Sequence, residues 1–184
     1  MSRLFGEVRQ LGYVVPDIQA AMRHWAEVLG IGPWFYTGCN RIENGIINGR
    51  NASFSVNIAL ANSGDMQIEL VEPVDGPSPY HDFLDETGGV GGLQHLSSWP
   101  SKARFDEIVE TFEQAGGNIV IRAENAGIPF VYLDTLAGQG TLFELAALSE
   151  QSRRFFEHVK EASIAWDGSD PIIPVGAGKA EQRS

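Results

Sequence analysis

Apolar positions recur along this chain with two periods, and the periods alternate. From residue 8, VRQLGYVV is rich in β-branched residues and predicts a strand. Pro16 ends it, and Asp17 is placed to cap a helix beginning at Ile18. On that helix Ile18, Ala21, Met22, Trp25, Val28 and Leu29 fall at helical spacing in one apolar stripe, with Gly30 as the expected C-cap. His24 falls off the stripe and is expected to face solvent. The Gly- and Asn-rich segment from Cys39 to Asn51 reads as a loop or an irregular hairpin. ASFSVNIAL and DMQIELVEP then alternate with period two about the turn ANSGD. Ile68 and Leu70 are therefore expected to face a helix, and Gln67 the opposite side of the sheet.

The pattern then repeats. VDGPSPYHDFLDETGGVGG, a Pro- and Gly-rich stretch, separates the two copies, with FLDE able to form a helical turn. GLQHLSSW takes the place of the first strand, and Ser101 can cap a helix whose stripe is Phe105, Ile108, Val109, Phe112 and Ala115. NIVIRA, PFVYLDT and GTLFELAAL complete the copy as short strands. RRFFEHVKEA adds an amphipathic helix, and a loop-like tail from Trp166 is expected to fray at its end, with Phe155 and Trp166 packing on the body or a partner subunit. The predicted order is a βαβββ module over residues 8–73, a linker over 74–92, a second βαβββ module over 93–148, and a helix and tail over 149–184. This is one compact α+β domain of two tandem modules, whose mixed sheet curves round a central cavity.

Composition narrows the partners. The chain has 184 residues, 43% hydrophobic, enough for a real core. Its formal net charge of −11 argues against nucleic acid and against an anionic membrane surface. A single cysteine, Cys39, excludes an intrachain disulfide and a Cys-rich zinc site. No signal-like N-terminus and no membrane-length apolar run are found, so a cytoplasmic protein acting on a small molecule is expected. The open edges of a curved sheet point to a homodimer.

Each copy carries polar residues in its first and last strands: Gln10 and Gln67 in one, His95 and Glu144 in the other, at similar intervals. Strand parity lets all four point to the concave side, since Gln67 lies between Met66 and Ile68, and Glu144 between Phe143 and Leu145. Taken singly, each is better read as an ordinary structural or surface residue. Taken together, an imidazole, a carboxylate and two amides suit a divalent ion such as Mn, Co, Ni, Fe, Mg or Zn. Such an ion is a Lewis acid able to polarise a carbonyl and stabilise an enolate.

The opening QLGYVVPDIQAAMRHWAEVLGIGPW, the strand QIELVEP, the segment GGVGGLQHL and the closing FELAAL resemble the vicinal oxygen chelate superfamily of glyoxalases, bleomycin-resistance proteins and extradiol dioxygenases. Within it the likeness is greatest to methylmalonyl-CoA epimerase. That resemblance implies metal ligands at Gln67, His95 and Glu144, and a fourth at Gln10, where the family has a histidine. It also implies carboxylates as acid and base, with Glu144, Glu69 and Glu43 as the candidates. Tyr80, His81 and Tyr132 are further polar groups within reach of a cavity, read as structural or exposed. The implied activity is α-proton abstraction and enolate stabilisation on a small carbonyl or acyl-CoA substrate by a metal-dependent isomerase or lyase. The alternative is a non-catalytic binding protein of the bleomycin-resistance type. An extradiol dioxygenase is disfavoured, because that chemistry uses two histidines and a carboxylate on iron and only His95 is in place.

Overall fold

A computed structural model describes residues 2–135 and 140–175. The elements follow the expected order: β1 (Gln10–Val14), α1 (Ile18–Leu29), β2 (Trp34–Ile47), β3 (Arg50–Ser63), β4 (Met66–Asp75), α2 (Pro79–Glu86), β5 (Gly92–Ser98), α3 (Lys102–Gln114), β6 (Ile119–Asn125), β7 (Ile128–Leu133), β8 (Leu142–Ala146), α4 (Glu150–Ala165) and β9 (Ile172–Pro174). The caps form as their residue types dictate. Asp17 Oδ1 accepts from the Ala20 N–H at 2.8 Å, and Ser78, Ser101 and Ser149 cap α2, α3 and α4 in the same way. Gly30 takes the left-handed conformation that ends α1.

The strands run in the order β3-β4-β1-β5-β8-β7-β6-β2-β9, and β2 also pairs with β3, so eight of them close into a ring. In each module the first strand pairs in parallel with the last, β1 with β4 and β5 with β8. The modules meet where β1 and β5 run antiparallel. This closure occurs within one chain and pairs eight strands on both sides, while β9 keeps a free edge.

Three apolar clusters follow from the alternation. Inside the ring lie Val14, Val56, Ile58, Val71, Phe130 and Tyr132, with Phe155 of α4 packed against them. Outside, α1 buries Ile18, Met22 and Ala26 against Ala59, Ala61, Ile68 and Leu70. On the other module α3 buries Phe105, Ile108 and Val109 against Val131, Leu133 and Leu145. Ile68 and Leu70 thus face a helix, and His24 is exposed, as their positions predict.

Two expectations change and one narrows. Val28 and Leu29 are exposed, because the core cluster under α1 ends at Ala26. Of the two readings of Cys39–Asn51, loop or irregular hairpin, the second holds: most of it is β2, which pairs with β3 through two register shifts and turns at Asn48 and Gly49. Gly38 and Asn44 have φ of 71° and 56° and sit at those shifts, so the glycine and asparagine content marks bulges in an irregular hairpin. The tail is not wholly loop-like, since Trp34–Tyr36 pair in parallel with β9. Trp166 lies over Gly32, where a Cβ would come within 2.9 Å of the indole ring. The final stretch expected to fray, 176–184, lies outside the described residues. No described helix is long and apolar enough to cross a membrane.

Candidate functional site

Strand register decides which side chains converge. Across β4, β1 and β5, Gln67 lies beside Gln10 and Gln10 opposite Ser97, while Glu69 lies beside Gly12 and Gly12 opposite His95. Across β5 and β8, Ser97 lies beside Glu144 and His95 beside Leu142. Exchanging the two modules therefore exchanges Gln10 with His95, Gly12 with Ser97, Gln67 with Leu142, and Glu69 with Glu144. The expected equivalence of Gln67 with Glu144 is off by two residues. Glu69 is the counterpart of Glu144, and QIEL matches LFEL residue for residue.

His95 is the centre of this arrangement and is fully buried. Its ring occupies the space a side chain at position 12 would fill: a Cβ on Gly12 would lie 1.9 Å from Cε1 and 2.1 Å from Nε2. Gln94 Nε2 donates to the Pro79 carbonyl at 3.1 Å, which leaves Gln94 Oε1 facing His95 Nδ1 at 3.0 Å. An amide oxygen only accepts, so Nδ1 carries a proton. The other nitrogen, Nε2, lies 3.2 Å from Glu69 Oε2 and 3.5 Å from the Tyr132 hydroxyl. A lone pair and a carboxylate do not face each other unless a proton or a cation lies between them. Burial opposes the imidazolium, but the Glu69 hydrogen bond and the charges of Glu144 and Glu69 outweigh it and raise the His95 pKa.

Glu144 belongs to the neighbouring row, beside Ser97 and level with Gln10, and is also buried. Loss of solvation pushes its carboxyl up to about 7, against the pull of His95 and with a further push from Glu69. Both carboxylates line a cavity of about 520 Å³ together with Gln10. The remaining wall is mainly apolar, including Ile42, Val56, Ile58 and Phe130 from the ring and Phe155 and Phe156 from α4. Tyr80 and Tyr132 line it as well, sharing a 2.7 Å hydroxyl–hydroxyl bond, and burial raises both phenols well above their usual range.

The candidates thus divide. Gln10, Glu69, His95 and Glu144 come together around the β1–β5 seam. Gln67 is buried beside Gln10 and its Oε1 accepts from Gln10 Nε2 at 2.8 Å, but it does not line this cavity. Glu43 is exposed, next to the buried Ile42 and pointing out of the ring. His81 is held by Ser78 at the start of α2, with Nδ1 3.0 Å from the hydroxyl. Three contributors were not anticipated. Gln94, which orients His95, stands next to it in sequence, but an irregular β1–β5 register hides its side from a parity count. Phe155 and Phe156 on α4 gave only an amphipathic-helix signal, with no hint that the helix covers the cavity.

The donor set fits a divalent ion in part. Two donors held at about 2.1 Å and at right angles about such an ion lie roughly 3 Å apart, close to the 3.2 Å between His95 Nε2 and Glu69 Oε2. Among the described residues, no group of three or more His, Cys, Asp or Glu lies within ligating reach. A complete set therefore needs Glu144 to turn toward His95 and the Gln10 amide to join.

Solved structures share this fold at low sequence identity. Methylmalonyl-CoA epimerase from Mycobacterium tuberculosis superposes with a TM-score of 0.57 at 19% identity, covering 84% of this chain and 95% of that one. A Streptomyces coelicolor methylmalonyl-CoA epimerase variant in complex with 2-nitronate-propionyl-CoA gives 0.55 at 14%, covering 79% and 96%. A hypothetical protein from Bacillus halodurans C-125 gives 0.54 at 19%, covering 79% and 96%. No curated protein matches the chain. Residues 9–132, most of both modules, match the family model of the glyoxalase/bleomycin resistance protein/dioxygenase superfamily, and the chain belongs to that superfamily.

Proposed function

We propose that this protein is a divalent-metal-dependent isomerase or lyase that abstracts a proton α to a carbonyl on a small oxygenated acid or acyl-CoA. The observation that carries the reading is a pair of carboxylates, half-buried Glu69 and buried Glu144, lining one apolar-walled cavity, with a buried imidazole behind them whose Nε2 faces Glu69. His95, Glu69 and Glu144, with the amide oxygen of Gln10, would hold the metal, which when bound supplies Lewis-acid stabilisation of an enolate oxygen.

The chain's own groups do the rest. Gln94 fixes the ring of His95, so that Nε2 rather than Nδ1 faces Glu69 and the Tyr132 hydroxyl. The apolar wall excludes water from the reacting carbon. Glu144 takes the α-proton at a carboxylate oxygen and can return it. The Tyr132 hydroxyl, hydrogen-bonded to Tyr80, is placed to donate to a substrate oxygen.

One observation favours a second reading, a binding protein without catalysis. The Gln10 amide is engaged by Gln67, which weakens its claim as a ligand. Deuterium exchange from solvent into a panel of acyl-CoA thioesters and 2-oxo acids, with Mn²⁺ or Co²⁺ present, decides between them. Exchange into the α-position that disappears in Glu144→Gln supports the enzyme. Absence of exchange across the panel, with no rise in melting temperature on adding Mn²⁺, Co²⁺, Ni²⁺ or Zn²⁺, supports the binding protein.

A further inference from the structure

A second cavity, of about 250 Å³, lies between α4 and the ends of β3 and β4, on the far side of Gln67 from the inner site. All of α4, and with it the cover over this cavity, lies outside residues 9–132, the span matched by the family model. Five buried side-chain polar atoms among the described residues have no hydrogen-bond partner within the protein, and three of them belong to residues lining this one cavity: Asn62 Oδ1, Gln67 Nε2 and Trp99 Nε1. Unpaired buried polar atoms are costly and rare. Three at one small cavity, with Gln67 only 1% and Asn62 only 7% exposed, mark a place built to receive a polar partner.

The free ends are defined by what the other ends do. Gln67 Oε1 accepts from Gln10, which leaves its N–H₂ group for the cavity. Asn62 Nδ2 donates to the Gly64 carbonyl, which leaves its oxygen. Around these stand Arg9, Arg153 and Lys160. Two carboxylates are also present, Asp65 and Glu157, and Lys160 pairs with both, at 2.8 and 3.7 Å. Arg9 reaches Glu7 at 3.1 Å and lies over the Trp99 ring, while Arg153 donates only to the carbonyls of Trp99 and Pro100. On a chain of net charge −11, two guanidinium groups beside two orphan N–H donors form a local anion receptor.

We propose that this cavity is a second binding site, for a small oxyanion that also carries a protonated oxygen, such as a hydroxy acid or hydrogen phosphate. Arg9, Arg153, the Gln67 amide and the Trp99 indole donate to the anion, and Asn62 Oδ1 accepts from the ligand's O–H. The anion has two sources. It is either a free small molecule or the acid end of a longer ligand in the inner cavity, because Trp99, Leu148 and Phe156 line both spaces. Through the Gln67–Gln10 bond its occupancy is linked to the inner site.

Calorimetric titration of the full chain with inorganic phosphate, L-lactate and linear dicarboxylates from malonate to suberate tests this without any metal. Saturable one-to-one binding that weakens at least tenfold in both Arg9→Gln and Arg153→Gln, and is unchanged in Glu43→Gln, is the expected result. Affinity independent of dicarboxylate length identifies a free anion. Affinity that rises with length and falls back in Leu148→Trp identifies the end of an inner-cavity ligand. No saturable binding of any probe, or equal affinity in wild type and both arginine variants, overturns the proposal. None of these readouts depends on catalysis, so their failure is distinct from failure of the proposed activity.

Discussion

The tightest constraint in this molecule is the approach of His95 to Gly12, and it yields a double-mutant cycle. A methyl group at position 12 would have to sit within 1.9–2.4 Å of three ring atoms of a fully buried imidazole. Gly12 does not have a left-handed backbone, so an alanine there is resisted by the ring and not by its own φ. To admit it the ring must leave, breaking the bonds to Gln94 and Glu69. Overpacking costs about 1–3 kcal/mol, and a hydrogen bond to a charged group contributes about 1.5–3 kcal/mol. Gly12→Ala should therefore destabilise the fold by about 3 kcal/mol, which for a chain of this size lowers the melting temperature by roughly 6–12 °C. In a His95→Ala background the obstacle is gone, and the same change should cost under about 0.5 kcal/mol, a coupling of at least about 2 kcal/mol. Urea unfolding of the four proteins, with equal m-values as the check on two-state behaviour, measures it. If Gly12→Ala costs as much without the imidazole as with it, the ring is not what Gly12 accommodates, and the placement of His95 is wrong.

Other outcomes follow from the same geometry. Glu144 holds its proton up to about 7 in the folded state and releases it near 4.5 when unfolded, so stability should fall as pH rises through that window; in EDTA, Glu144→Gln should flatten the slope and be more stable at pH 8 by up to about 3 kcal/mol, and parallel pH profiles would contradict the burial of that carboxyl. Tyr132→Phe leaves the Tyr80 hydroxyl buried without its 2.7 Å partner and should cost about 1–3 kcal/mol, whereas adding Tyr80→Phe should cost less than its own single change; additive values in chemical denaturation would rule the bond out. Trp166→Ala removes the ring packed over Gly32 and should make the chain after α4 cleave faster under limited proteolysis while the ring of strands stays intact. Glu43→Gln should leave both deuterium exchange and stability unchanged, within about 0.5 kcal/mol, because that side chain is solvated.

Element order was readable in the sequence because each element carries its own period and its own stop. Asp17, Gly30 and Ser101 mark helix ends by chemistry that acts within a few residues. Parity correctly sent Ile68 and Leu70 to the helix side. What parity cannot supply is register between strands far apart in sequence. Gln67 and Glu69 share a face, and only the pairing of β1 with β4 shows that Glu69 lies level with Gly12 and His95. The Gly- and Asn-rich stretch of β2 left loop and irregular hairpin both open for a related reason. Residues that end a strand in isolation are tolerated at bulges when neighbours on β3 hold the ladder across them. The tail strand Ile172–Pro174 is three residues long and exists only because β2 offers a free side, which no local signal announces.

The seam between β1 and β5 has one more consequence. The first module supplies Gln10 and Glu69 to the candidate site, and the second supplies His95 and Glu144. Neither half owns a binding site. Cut in the glycine-rich connection near Gly88 and Gly89, the polypeptide would become two fragments, each holding half of the chemistry. Any metal-stabilised or ligand-stabilised signal from the mixture would then report reassembly itself, and the scaffold would serve as a complementation sensor whose output exists only when its two pieces meet.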